Sequence, residues 1–191
     1  MSTFHPRTLD PAGTALLVVD VQEKFRPAMQ GFQAMVEGCI RLVHTFRLLG
    51  LPIVVTEQYP RGLGRTAAEL REALALVTPA PVPVFEKTAF SALGCPDAVE
   101  RLRLAGPRCV VVCGIEAHVC VQQSVHDLLQ AGHATHLAVD AVESRHALDR
   151  QTALERMAGS GAVPATTEMV AFELMRDARH PRFKEVQALY K

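Results

Sequence analysis

The sequence predicts an α/β fold: a single doubly wound, mostly parallel, six-stranded sheet with helices on both faces. Two observations carry this expectation. Six short apolar runs are spaced along the chain, and the segments between them repeat their apolar residues at helical intervals. Strands that are apolar along their whole length need cover on both sides. When such strands alternate with helices, right-handed crossovers leave a doubly wound sheet as the simplest topology.

The first run, Ala15–Asp20, is followed by a helical stripe of Phe32, Met35, Val36, Cys39, Val43 and Phe46, which Gly50 and Pro52 end. The second strand is Ile53–Glu57. Thr66 and Glu69, three residues apart, predict a capping box for a second helix. The third strand is Val82–Lys87, after which Pro96 and Asp97 open a helix that stops at Gly106 and Pro107. The fourth strand, Cys109–Gly114, precedes a helix lined by Val121, Val125, Leu128 and Leu129 and closed by Gly132. Strands Ala134–Asp140 and Ala162–Thr166 complete the sheet, with helices near Arg150–Ala158 and Thr167–Met175 and a short terminal helix after Pro181. Gly62 and Gly64 read as a loop, because no strand leads directly into them and the third glycine of a dinucleotide fingerprint is missing. With no linker, internal repeat or low-complexity tract, residues 1–191 read as one domain.

Twenty basic residues balance twenty acidic ones, so no charge surplus points to nucleic acid or an anionic membrane. A small-molecule substrate and further copies of the same chain are the expected partners. Met1–Arg7 lack the charged-then-apolar pattern of a secretory leader, and the apolar runs are too short to span a bilayer. Five cysteines, an odd number placed mostly within apolar strands or helices, suit free thiols in a reducing cytoplasm.

In doubly wound sheets the ligand sits beyond the carboxyl ends of the strands. Here those ends carry Asp20, Glu57, Lys87, Gly114 leading to Cys120, Asp140 and Thr166. Cys120 lies where the fourth helix begins, and the positive end of a helix dipole favours a thiolate, so Cys120 is expected to be the most readily alkylated cysteine. Cys95, before Pro96 at another helix start, ranks second, while Cys39, Cys109 and Cys113 fit ordinary core positions. Taken alone, Asp20 could be a base, a cap or half of an ion pair, and Lys87 a solvated strand end. Their shared edge with Cys120 gives the trio its weight.

The stretches Leu16-Leu17-Val18-Val19-Asp20-Val21-Gln22, Glu86-Lys87-Thr88-Ala89-Phe90-Ser91 and Cys113-Gly114-Ile115-Glu116-Ala117-His118-Val119-Cys120-Val121 together resemble the isochorismatase-like cysteine hydrolases. Thr56-Glu57-Gln58-Tyr59-Pro60 adds a likeness to the isochorismatase domain-containing proteins, and the match runs from about Ala15 to Pro181. The resemblance implies a six-stranded Rossmann-like sheet, oligomeric assembly and a catalytic triad of Asp20, Lys87 and Cys120. It also implies oxyanion donors at the amides of Glu116 and Cys120, and a cis peptide between Ile115 and Glu116. Gln22, Phe25, Gln58, Tyr59, Phe90 and Glu116 are the expected pocket residues, with His118 as a pocket wall or a structural hydrogen-bonder.

The resulting expectation is a metal-independent, cofactor-free hydrolase acting on a small amide-like or related carbonyl substrate through an acyl-enzyme. Metal-binding relatives carry an Asp-x-His pattern after the second strand, where this chain has Glu57-Gln58-Tyr59-Pro60. His133 and His136 are expected on opposite faces of a strand, and His118 and His126 share a helix without a third ligand. His118 is not expected to pair with Cys120, since side chains two positions apart on a helix diverge by about 200°. Asp140 and Arg145 read as fasteners of a loop or a subunit contact. The rival readings are an oligomeric interaction protein, a thiol redox sensor using Cys120 or Cys95, and a vinyl-ether hydrolase, which would leave the thiol without a role.

Overall fold

A computed structural model describes residue 5 and residues 7–191. Most of the amino-terminal stretch read for a leader therefore lies outside the described residues. β1 (Thr14–Val19), β2 (Ile53–Gln58), β3 (Val84–Lys87), β4 (Cys109–Ile115), β5 (Ala134–Glu143) and β6 (Val163–Ala165) form one sheet in the order β3-β2-β1-β4-β5-β6. Every pairing is parallel. The order reverses between β1 and β4, the crevice where such sheets bind ligands.

The period-two pattern of the strands divides the core. Leu16, Val18, Ile53, Val55, Val111 and Cys113 face one side, where they meet α1 (Phe32–Leu49), α3 (Ala68–Ala75) and α7 (Thr167–Met175). Ala15, Leu17, Val19, Val54, Val110 and Val112 face the other, under α4 (Pro96–Ala105), α5 (Gln122–Gln130) and α6 (Ala147–Gly159). All six residues of β1 and all seven of β4 are buried, as central strands of a covered parallel sheet must be. A one-turn helix, α2 (Pro60–Leu63), stands in the loop after β2, and the terminal α8 (Phe183–Ala188) packs Val186 against Ala171 and Met175.

Three local readings need correction. The capping box does not form. Glu57, buried at the end of β2, takes both the Thr66 amide and the Thr66 hydroxyl at 2.6 Å, and Glu69 pairs with Arg26 at 2.8 Å. β5 runs past Asp140 to Glu143, because its register against β4 shifts between Val112 and Gly114 and pairing then resumes at Val142. His133 precedes β5 and bonds the Pro107 carbonyl at 3.0 Å, so it does not share that strand with His136. Both sheet edges are short and proline-marked: Pro83 precedes the four residues of β3, and Pro164 is the middle residue of β6.

Gly114 is the tightest point of the architecture. It pairs with Val19, has φ +115°, and a Cβ there would lie 2.1 Å from the Val19 carbonyl oxygen. Gly114→Ala is therefore expected to cost about 3 kcal/mol or more. Gly159→Ala, in α6 with nothing within 4 Å of its Cβ, is expected to stabilise by about 0.5–1 kcal/mol. Chemical denaturation of the two variants checks both; equal effects would remove the close approach as the reason for glycine at 114.

Candidate active site

The carboxyl ends of β1, β2, β3 and β4, the edge strand β3 among them, supply the site. Asp20 follows β1 in a left-handed conformation, φ +53°, that short acidic side chains tolerate better than most. This turns its carboxylate back over the sheet. Oδ1 accepts from the Thr56 hydroxyl at 2.8 Å and Oδ2 accepts from Lys87 Nζ at 2.6 Å. Both members of the ion pair are buried, with side chains 2% and 0% exposed. The Lys87 ammonium also donates to Gln58 Oε1 at 2.8 Å, the Phe90 carbonyl at 2.9 Å and the Ala89 carbonyl at 3.1 Å. A buried cation is tolerable only with such a set of acceptors.

β4 ends at Ile115, the Ile115–Glu116 peptide is cis, and Ala117–Val121 form a π-helical turn ahead of α5. That turn carries Cys120, which is buried and stands close enough to Asp20 to feel its charge. The expected resting thiolate is not what this environment favours. Burial first, and then the Asp20 charge, push the Cys120 thiol up to about 12, against the pull of Lys87. Burial likewise raises the Asp20 carboxyl, with Lys87, Thr56 and the thiol working the other way. The resting arrangement is a protonated thiol near a carboxylate that an ammonium holds in place.

Asp20 and Cys120 border a cavity of about 320 Å³ whose wall also includes Phe25, Gln58, Phe90 and Glu116, with Leu63, Ile115, Val119 and Arg145 completing it. Lys87 stands behind Asp20 and borders the separate hollow beside Cys95. A larger hollow of about 730 Å³ lies beyond Arg145 against α6 and contains none of the three charged or thiol groups. Three expected pocket residues are elsewhere. Gln22 is fully buried and acts as a clamp: its amide donates to the carbonyls of Gln58 and Gly64 and accepts from the Gln58 amide. Tyr59, at φ +37°, turns outward over Gly62 and borders a separate hollow with Cys95. His118 faces away from Cys120, with Nδ1 3.0 Å from the Ser144 hydroxyl and Nε2 3.8 Å from Asp149.

Two residues at the site were not read as part of it: Thr56, and Arg145, which was expected only to fasten a loop or a subunit contact. Thr56 is the register partner of Val19, so pairing β1 with β2 would have brought it beside Asp20. Arg145 follows the unexpected extension of β5 and reaches Glu116, whose Oε1 accepts from Arg145 Nε at 3.0 Å and from its amide at 3.2 Å. Asp140 does fasten a loop, accepting from the Thr167 amide and hydroxyl at 2.8 Å each. Among the described residues, no group of three or more His, Cys, Asp or Glu side chains is placed to hold a metal ion. No described helix is long and apolar enough to cross a membrane.

The isochorismatase domain profile matches residues 14–169. Isochorismatase domain-containing protein 1 of Salmo salar is 42% identical over 184 residues, which cover 96% of this chain and 62% of the relative; the chain thus spans less than two thirds of that protein. Isochorismatase domain-containing protein 2 of Danio rerio is 41% identical over 182 residues, 95% of this chain and 88% of the relative. Among solved structures, one described as the MAR1 ribonuclease of Caenorhabditis elegans superposes with a TM-score of 0.88 at 41% identity, covering 95% of this chain and 91% of that one.

The electrostatics of the thiol can be read by alkylation. Cys120 labelling by iodoacetamide is expected to be slow at neutral pH and to rise towards pH 12, because the thiol is protonated below that range. Asp20→Asn removes the charge that opposes ionisation and is expected to speed labelling at a given pH, whereas Lys87→Met is expected to slow it. Peptide mapping against pH tests the signs; fast neutral labelling of Cys120 in the wild type, or the reverse order of the variants, would refute this account.

Proposed function

The chain belongs to the isochorismatase family, and we propose that it is a metal-independent cysteine hydrolase cleaving a carbon–nitrogen bond, or a related carbonyl–heteroatom bond, of a small substrate through an acyl-enzyme. The observation that carries this reading is the Cys120 thiol within the field of the buried Asp20 carboxylate, which Lys87 bonds at 2.6 Å, with Asp20 and Cys120 both bordering a small cavity. In this scheme Asp20 is the general base, Cys120 the nucleophile and Lys87 the electrostatic support. A nucleophile that rests protonated beside its base can attack as its proton leaves.

In the proposed cycle the sulfur adds to the substrate carbonyl carbon as the thiol proton passes to Asp20. The tetrahedral oxyanion lies against the backbone amides of Glu116 and Cys120. The carbon–nitrogen bond then breaks, and Asp20 returns its proton to the departing amine. Water enters, gives a proton to Asp20 and attacks the thioester; the carbon–sulfur bond breaks and the thiol recovers its proton. The sum is substrate plus water giving acid plus amine. Vinyl-ether hydrolysis would leave the Cys120 thiol without a task. The description of the nematode relative raises a phosphodiester reading, yet no histidine borders this cavity and its wall is largely Phe25, Leu63, Phe90, Ile115 and Val119.

The proposal extends to the setting. A single domain over residues 1–191 works on a small molecule in a reducing compartment such as the cytoplasm, which five free thiols support. It assembles as a homo-oligomer, consistent with Leu104 and Leu148 standing 66% and 75% exposed.

Asp20→Asn, Lys87→Ala and Cys120→Ala are each expected to lower turnover on the order of 10³-fold or more, and double variants little further, because the three act as one unit. On a turned-over amide, hydroxylamine is expected to trap the acyl group of Cys120 as a hydroxamate. Activity is expected to fall with acid as Asp20 takes a proton, at a pH above the ordinary carboxylate range, since burial raises that carboxyl. Losses that multiply, or full activity in Cys120→Ala, would remove the covalent route.

A further inference from the structure

We propose that Arg145 is the recognition residue of this site, and that the substrate is a small amide carrying a carboxylate, an ω-amido acid. The inference rests on the hydrolase reading above and adds the chemistry at the other end of the substrate.

Two cations stand near Cys120, and only one is available to a ligand. Lys87 is buried, and four acceptors, Asp20, Gln58 and the carbonyls of Ala89 and Phe90, surround its ammonium. Arg145 borders the cavity and its side chain is half exposed. Its amide and Nε are tied to Glu116 Oε1, which fixes the root of the guanidinium, while Nη1 and Nη2 make no hydrogen bond among the described residues. A guanidinium anchored at Nε keeps a planar pair of donors that matches the two oxygens of a carboxylate.

The rest of the wall selects for the same kind of molecule. Phe25, Leu63, Phe90 and Val119 offer no charge and favour a short hydrocarbon between the two polar ends. Asp20, Glu116, Lys87 and Arg145 sum to zero, so one substrate carboxylate finds a spare donor fork without meeting a surplus of like charge. A volume of about 320 Å³ holds about ten non-hydrogen atoms at the space one water takes in the liquid. Malonamate, succinamate and glutaramate fit that limit. In each, the amide carbonyl would lie at Cys120 and the carboxylate at Arg145, and hydrolysis would yield the dicarboxylate and ammonia.

The competing role for Arg145 is a tether that only holds the loop after β5 to Glu116. A tether affects all ligands alike, whereas a recognition residue separates acids from neutral analogues. The test is calorimetric binding of malonamate, succinamate and glutaramate, each against its uncharged diamide, to the full chain bearing Cys120→Ala. At least one acid is expected to bind about tenfold or more tighter than its diamide. Adding Arg145→Met is expected to abolish that preference while leaving diamide affinity within about twofold. If Arg145→Met does not fold, Arg145→Gln, which can still donate to Glu116, serves the same comparison.

No preference for any acid, including binding of neither member of every pair, overturns the proposal, as does a preference that survives loss of the guanidinium. Ammonia release by the wild type is scored separately. Release with no charge preference overturns the recognition role and keeps the hydrolase reading. Charge-selective binding with no release from any acid keeps Arg145 as the recognition residue and overturns the ω-amido acid as the substrate.

Discussion

The ion pair between Asp20 and Lys87 is the constraint around which this end of the molecule is arranged. Taking a carboxylate and an ammonium out of water together is unfavourable unless every lone pair and proton finds a partner. Here the partners come from different strands: Thr56 and Gln58 from β2, Lys87 from the end of β3, Asp20 from beyond β1. None of them can shift by one residue without turning a charged group into the core. The pair therefore ties the register of three parallel strands to the geometry of a chemical site. Losing either partner alone costs about 3–5 kcal/mol in comparable buried pairs.

Cys120 is tuned by the same pair. A thiol beside an isolated lysine would ionise readily. Here burial first, and the Asp20 carboxylate second, outweigh the ammonium, and the sulfur keeps its proton. The site thus places a base beside a protonated nucleophile, in place of a free thiolate exposed to any electrophile. All five cysteines are buried, consistent with a chain that restricts access to its thiols.

The architecture was legible because it follows from local chemistry. Apolar runs such as Leu16–Val19 and Val110–Cys113 have one natural place in a soluble chain, and Gly50 and Gly106 end α1 and α4 where the helical spacing stops. The positions of Asp20, Lys87 and Cys120 at one edge followed from the strand ends. What was not legible depends on contacts across the chain. Thr66 and Glu69 satisfy a capping pattern in sequence, but Glu57 and Arg26 claim them in space. Gln22 carries the same functional groups as a ligand-binding amide, yet the backbone of Gln58 and Gly64 uses them all. Arg145 is reached only through the irregular register of β5, which has no local signature. The direction of the Cys120 shift required the depth of burial, a quantity no spacing rule contains.

The proline-marked edges of the sheet bear on how copies of this chain can meet. Open edges are the usual route by which β-proteins join into continuous sheets or, when that goes wrong, into aggregates. β3 and β6 offer four and three residues, with Pro83 beside one and Pro164 within the other. Such stubs supply too few backbone donors to template a seventh strand. Any association is thereby directed to side-chain surfaces and diverted from the backbone, where growth has no natural end. Two short strands at the margins of the fold thus guard it against open-ended sheet growth.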